Sequence, residues 1–213
     1  MTRTCYDSIN VNAIPADAQL AAGYAGGNWP TYANGSLRAR CPHAILVSIA
    51  VNASEDAMVL DVERGDATPS DAPAWCQRQR ARGQVPTVYC NASTWPAVQQ
   101  MFHDAGQPLP QWWDANYDNN PTLPAGAVAK QYRSDTNQNL DYSVVADYWP
   151  GVDPARSDIM ATDTDRGGLV RLTYLASKHR EPTPQEWGIG KMVLAQHPNL
   201  DAFVESVADN GKP

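Results

Sequence analysis

Phenylalanine is nearly absent. The chain of 213 residues has two, against seven tryptophans and nine tyrosines. An aromatic set this skewed excludes a core built on plain phenyl rings. It favours side chains that join a flat apolar face to a hydrogen-bonding edge, which suit a sugar-binding surface as well as core and rim packing. Long apolar runs are missing too. None approaches the ~18 residues of a membrane span, so no membrane partner is expected. Lysine and arginine form no block, and 16 basic residues against 23 acidic ones leave a formal charge of −7, which argues against nucleic acid as the main partner. The opening MTRTCYDSIN lacks an apolar h-region, so no secretory signal is expected. The four cysteines, Cys5, Cys41, Cys76 and Cys90, show no CxxC and no metal-ligand spacing. Neither a metal nor a cofactor is expected, and two disulfides or four buried thiols both fit. His43 and His103 stand apart and receive no role.

What is present describes a globular α/β chain. Apolar residues make up 43% and charged residues 18%, enough for a packed core. Short apolar or β-branched runs predict strands near 4–8, 21–26, 43–51, 58–63, 85–90, 110–117, 127–132 and 140–145. Several run unbroken, as strands buried on both faces do. Two helices are predicted between them. One runs through SDAPAWCQRQRARG with Ser70 as cap and Gly83 as stop; the other runs through STWPAVQQMFHDAG with Ser93 or Thr94 as cap and Gly106 as stop. The alternation indicates βα units and a parallel sheet. After residue 117 the linkers are short and no helix fits. Eight strands with too few helices, in about 150 residues, predict a trimmed barrel of the TIM type. Pro150, Gly151 and Pro154 mark a boundary. The expected division is a barrel over 1–152, a linker over 153–168 and a small helical module over 169–213.

The stretch AMVLDVERGD, residues 57–66, carries the functional question. Asp61 and Glu63, at i and i+2, share one face of a strand, while Leu60 and Val62 share the other. Two like charges in a packed barrel centre would be costly, but at the C-terminal rim they are tolerable, and barrel enzymes keep their sites there. Other strands also end in polar or aromatic residues. Asp7 closes the first, Tyr24 the second and Tyr89 the fifth. Trp113, Asp114, Asn116 and Tyr117 gather at the end of the sixth, with Gln131 at the end of the seventh. Aromatic faces stack on sugars, and a carboxyl pair can divide the labour of glycoside cleavage. Mutual repulsion is expected to keep one carboxyl protonated near neutral pH. Glu63 is read as the acid and Asp61 as the group that orients and stabilises the substrate.

Five segments in order resemble the family 25 glycoside hydrolases, the muramidase-type lysozymes of phages and bacteria, and more closely a glycoside-hydrolase-like branch of actinobacteria and their phages. They are YDS (6–8), VLDVE (59–63), PTVYCNASTW (86–95), WWDANYD (112–118) and KQYRSDTNQNLDYSVV (130–145). The resemblance spans residues 4–150. It implies a barrel whose last strands lack helices, Glu63 as catalytic acid, and Asp61, Asp7 and Asp141 lining the cleft. It implies action at the bacterial cell wall on the MurNAc–GlcNAc bond of peptidoglycan, with help from the substrate's own 2-acetamido group, which Asp61 would orient. The sequence departs from the family in a shorter stretch before Asp61, in a third strand (VSIAVN) without an aromatic, and in Asn116 at a position often acidic. Asp141 falls near a strand start, whereas the other candidates close their strands. The segment 169–213 resembles small helical modules of phage tail and bacterial surface proteins, which implies contacts with other phage tail or virion proteins. Two other readings stay open: a non-catalytic carbohydrate-binding or virion structural protein on the same barrel, and a glycosidase acting on another glycan.

Overall fold

The structure, a computed structural model, describes residues 3–154. The expected helical module over 169–213, and the partner contacts read from it, lie outside the described residues, as does all but the start of the expected linker.

Eight strands form a closed barrel in chain order: β1 (Arg3–Asp7), β2 (Leu20–Tyr24), β3 (Ile45–Ala50), β4 (Val59–Asp61), β5 (Thr87–Cys90), β6 (Gln111–Ala115), β7 (Ala127–Asp135) and β8 (Leu140–Val145). Strands β1 to β7 run parallel, and β8 runs antiparallel to both β7 and β1, closing the ring. This is the trimmed α/β barrel that the strand count indicates. Among the described residues it carries three helices, α1 (Ser36–Arg40), α2 (Ala72–Ala81) and α3 (Trp95–Asp104), and one 3₁₀ turn at Val11–Ala13. The one-turn α1 has too little periodicity to be read from sequence.

The two longer helices follow their prediction in place but not in capping. Neither N-cap, Asp71 for α2 nor Thr94 for α3, makes a side-chain capping bond. Instead the Asp71 carboxylate turns back to accept from the Thr68 amide at 2.8 Å and its hydroxyl at 2.6 Å. Asn91 accepts from the Thr94 amide at 2.9 Å. Prolines in the first turns explain why a cap matters less there: Pro73 and Pro96 remove one amide that would otherwise need a partner. Gly83 and Gly106 end the helices at φ 79° and 60°, a left-handed turn that glycine adopts without strain.

Strand alternation separates two sides of the wall. Cys5, Leu20, Val47, Val59, Tyr89, Trp113, Ala129 and Val145 fill the barrel interior. Leu60, Val62, Val88, Cys90 and Trp112 face outward onto Trp75, Cys76, Val98 and Phe102 of α2 and α3. All four cysteines are buried free thiols. The lower end of the barrel is plugged by Trp149. Its ring meets Trp113 edge-on at 5.3 Å, and its indole N–H donates to the Thr87 hydroxyl at 2.9 Å. Asp153 accepts from the Trp149 amide at 2.6 Å and takes both guanidinium nitrogens of Arg3, at 2.7 and 2.6 Å. The upper end, where the parallel strands terminate, is left open by the described residues.

Candidate active site

At that open end lies a cavity of about 360 Å³. Asp7 reaches it from the last residue of β1 and Asp61 from the last residue of β4. Glu63 reaches it too, but not from a strand as expected. β4 ends at Asp61, and the Val62 amide makes one more ladder bond to the Tyr89 carbonyl at 2.9 Å. The chain then turns: the Asp66 amide bonds the Glu63 carbonyl at 3.2 Å, and Gly65 takes φ 105°. Glu63 therefore sits one step above Asp61, exposed where Asp61 is buried.

Asp141 joins them because of strand direction. Read as part of a parallel sheet, a residue near a strand start belongs at the closed end. β8 runs the other way, so its start is at the mouth, and Asp141 pairs in register with Asp7. Tyr24, Tyr89, Trp113, Tyr117 and Gln131 also line the cavity. Asp114 and Asn116 do not. They alternate with Trp113, Ala115 and Tyr117 and fall on the opposite face of the wall, Asp114 in register with Lys130.

The carboxyls are unusual in what they lack. One oxygen each of Asp7, Asp61 and Asp141 is buried with no hydrogen-bond partner among the described residues. Among the described residues no lysine, arginine or histidine lines the cavity. Burial pushes the Asp7 carboxyl well above the usual carboxylate range, helped by Asp141 and then Glu63. Asp61 is pushed up to about 8, first by burial and then by Glu63, Asp66 and Asp7. Glu63 is raised by desolvation, then by Asp66 and Asp141, and is drawn back by the Tyr89 hydroxyl. Asp141 is raised by burial and drawn back by Ser134 and Gln131. Repulsion between Asp61 and Glu63 is thus the secondary cause. Removal from water is the primary one, because the strand end carries Asp61 below the rim.

Sequence reasoning missed the wall that faces these acids. Trp29 lines the cavity and is 52% exposed, Tyr117 is 50% exposed and Ile9 37%. Three of the five large apolar side chains that are exposed among the described residues therefore gather at this one opening, which scattered surface residues would not do. Tyr117 is tied to Tyr89 by a hydroxyl contact of 3.2 Å. Trp29 rides on a loop whose Gly26 lies against Glu55; a β-carbon there would overlap the Glu55 carboxylate. The sequence signal was GGNWP, a tryptophan after two glycines just past a strand end. Asp66 was missed as well, and it adds a fifth carboxyl to the lining.

Neither the protein-family models nor the curated proteins include a match to this chain. Two solved structures are similar. One is a family GH25 lysozyme from Aspergillus fumigatus, 14% identical, with 70% of this chain and 95% of that chain covered and a TM-score of 0.48. The other is a bacterial lysozyme from Streptomyces coelicolor, 16% identical, with 66% of this chain and 90% of that chain covered and a TM-score of 0.44.

Proposed function

We propose that the protein is a glycoside hydrolase of the bacterial cell wall that cleaves the MurNAc–GlcNAc bond of peptidoglycan. One observation carries this reading: buried, unpartnered carboxyls meet exposed Trp29 and Tyr117 in a single cavity at the barrel mouth. The five sequence segments that resemble family 25 glycoside hydrolases support it, since Asp7, Asp61, Glu63 and Asp141 lie within them.

The chemistry follows from charge. Glycoside cleavage needs a proton at the leaving oxygen and negative charge near the developing oxocarbenium ion. Glu63 stands at the rim with its carboxyl raised above the ordinary range by desolvation, a shift that favours the protonated form where a glycosidic oxygen can reach it. Asp61 lies deeper, its carboxyl pushed up to about 8 in the empty pocket. A sugar developing positive charge supplies the partner that this carboxyl lacks. That developing charge favours the carboxylate form of Asp61, whose proton is released to water as the substrate binds, so the interaction is stronger in the transition state than in the ground state. The same position lets Asp61 orient a 2-acetamido group. Trp29 and Tyr117 offer flat faces to sugar rings.

The test is release of reducing ends from purified peptidoglycan, with mass spectrometry of the soluble fragments. The native protein is expected to release fragments ending in N-acetylmuramic acid. Glu63→Gln is expected to lower kcat by about 10³, the range of a general acid. A folded native protein that releases nothing contradicts the reading, and a Glu63→Gln variant as active as native removes Glu63 from the mechanism.

A further inference from the structure

Lys130 is nearly fully buried, 3% exposed, yet it stands outside the barrel. Its strand neighbours Ala129 and Gln131 face the interior, so alternation sends Lys130 to the outer side of β7. A loop covers it there. Residues 116–126 join β6 to β7 without a helix, and they use all three protons of the ammonium group. Nζ donates to both oxygens of the Asp118 carboxylate at 2.8 Å and to the Asn120 carbonyl at 2.9 Å. Asp118 is in turn the centre of the loop. Its carboxylate also accepts from the Asn120 amide at 2.9 Å and from the Asn116 side chain at 3.3 Å. Asn119 takes φ 57°, a left-handed turn that asparagine tolerates, and its amide reaches the Tyr132 carbonyl of β7 at 2.9 Å.

Tyr117 sits between Asn116 and Asp118, inside this knot, and its half-exposed ring lines the cavity. At the tip its hydroxyl meets that of Tyr89 at 3.2 Å, a neutral contact at the long end of the range. At the root the adjoining Asp118 carries charge-assisted bonds, about twice as strong as neutral ones. The root therefore decides where the ring stands. Asp114, in register with Lys130 on the same outer face, sets a second carboxyl beside the ammonium; burial raises it and Lys130 draws it back.

We propose that Lys130 is a positioning residue for substrate binding: through Asp118 it fixes the loop that holds the Tyr117 ring against a sugar. The proposal rests on the hydrolase reading, in which Tyr117 faces a sugar ring. Lys130 itself does not line the cavity, so it acts through Tyr117. Tyr89 is 6% exposed and packs edge-on against Trp113 at 5.2 Å, so it keeps its place beside Glu63 when Tyr117 moves. The effect falls on binding and spares the acid.

Two variants cut the same tie. Lys130→Met keeps the stem and removes the charge. Asp118→Ala acts from the exposed side and leaves Asp114 to meet the ammonium. Each is expected to raise KM about fivefold, the scale of one loosened ring contact, with kcat within about twofold of native. In a Tyr117→Ala background, Lys130→Met should add nothing further to KM. Unchanged KM in both single variants, even with a lowered urea midpoint, makes the lysine merely structural and overturns the proposal. A full rise in the Tyr117→Ala background overturns it as well. A second arm needs neither turnover nor ligand. Hydrogen exchange of the Asn119 amide should speed up about tenfold in both variants while β5 keeps its native protection; native exchange at Asn119 overturns the proposal. Should the native protein release nothing from peptidoglycan, the hydrolase reading falls, and the exchange still decides whether Lys130 holds the Tyr117 loop.

Discussion

The two ends of this barrel treat charge in opposite ways, and a single strand shows it. β1 begins with Arg3 at the lower end and finishes with Asp7 at the mouth. Arg3 has a fully used partner: both its nitrogens meet the nearly buried Asp153 carboxylate, 7% exposed. Asp7 has a buried oxygen with no partner and a second carboxyl, Asp141, opposite it in register. Elsewhere the pattern of the lower end repeats. Asp118 is held below the usual carboxylate range by Lys130, and Asp56 is lowered to about 2 by Gln79, Arg82 and Arg78. These carboxyls of the fold are paired, whereas Asp114, on the outer face of the wall, keeps one buried oxygen without a partner among the described residues. What sets the mouth apart is that three such carboxyls, Asp7, Asp61 and Asp141, gather around one cavity at a cost to stability.

The contrast can be broken most sharply at Asp61. Its folded pKa lies above its unfolded value, so the folded state holds a proton that the unfolded state has released. Stability is then full below the unfolded value and falls as pH rises toward the folded one. Asp61→Asn removes that loss. Relative to the native protein, the variant is expected to gain roughly 3 kcal/mol between about pH 4 and about pH 8, less than the full shift converts to, because water reaches the open mouth. Urea unfolding at the two pH values measures it. A native protein that gains stability over that range relative to Asp61→Asn would place Asp61 with the paired carboxyls.

At the lower end the sign reverses. Arg3→Met leaves Asp153 without its guanidinium. The expected loss is about 2 kcal/mol, below the full value for a buried pair because Arg3 is 20% exposed. The urea midpoint checks it, and the mouth should be untouched, so activity per folded molecule stays at the native level. The smallest effect is expected at the mouth's apolar wall. Trp29 is 52% exposed, so Trp29→Ala should change stability by less than about 0.5 kcal/mol. KM should rise about tenfold, from roughly 1.4 kcal/mol of lost sugar contact. A stability loss without a KM change would make Trp29 a packing residue.

Much of this organisation was legible because strands write themselves in apolar and β-branched runs. Every predicted strand overlaps one of β1 to β8, and β8 matches its predicted span of 140–145. The acids at 7 and 61 were legible because each ends such a run. The position of Asp141 was harder, since a strand start means opposite ends in parallel and antiparallel neighbours. The signal was nonetheless present: residues 136–139 are too short for a parallel crossover, so β8 had to turn back. Asn139, at φ 52°, helps make that turn. Asp114 and Asn116 were assigned to the cavity because they cluster with Trp113 and Tyr117, but alternation sends them outward. Trp29, Asp66 and the Trp149 plug were not legible, because loop residues carry no period that fixes where they point.

The most direct test of the central claim is a carbon-13 NMR titration of the side-chain carboxyls. One Asp signal is expected to titrate near 8 and to vanish in Asp61→Asn. If every carboxyl instead titrates in the ordinary range near 4, the mouth holds common surface charge, and the case for chemistry there is contradicted.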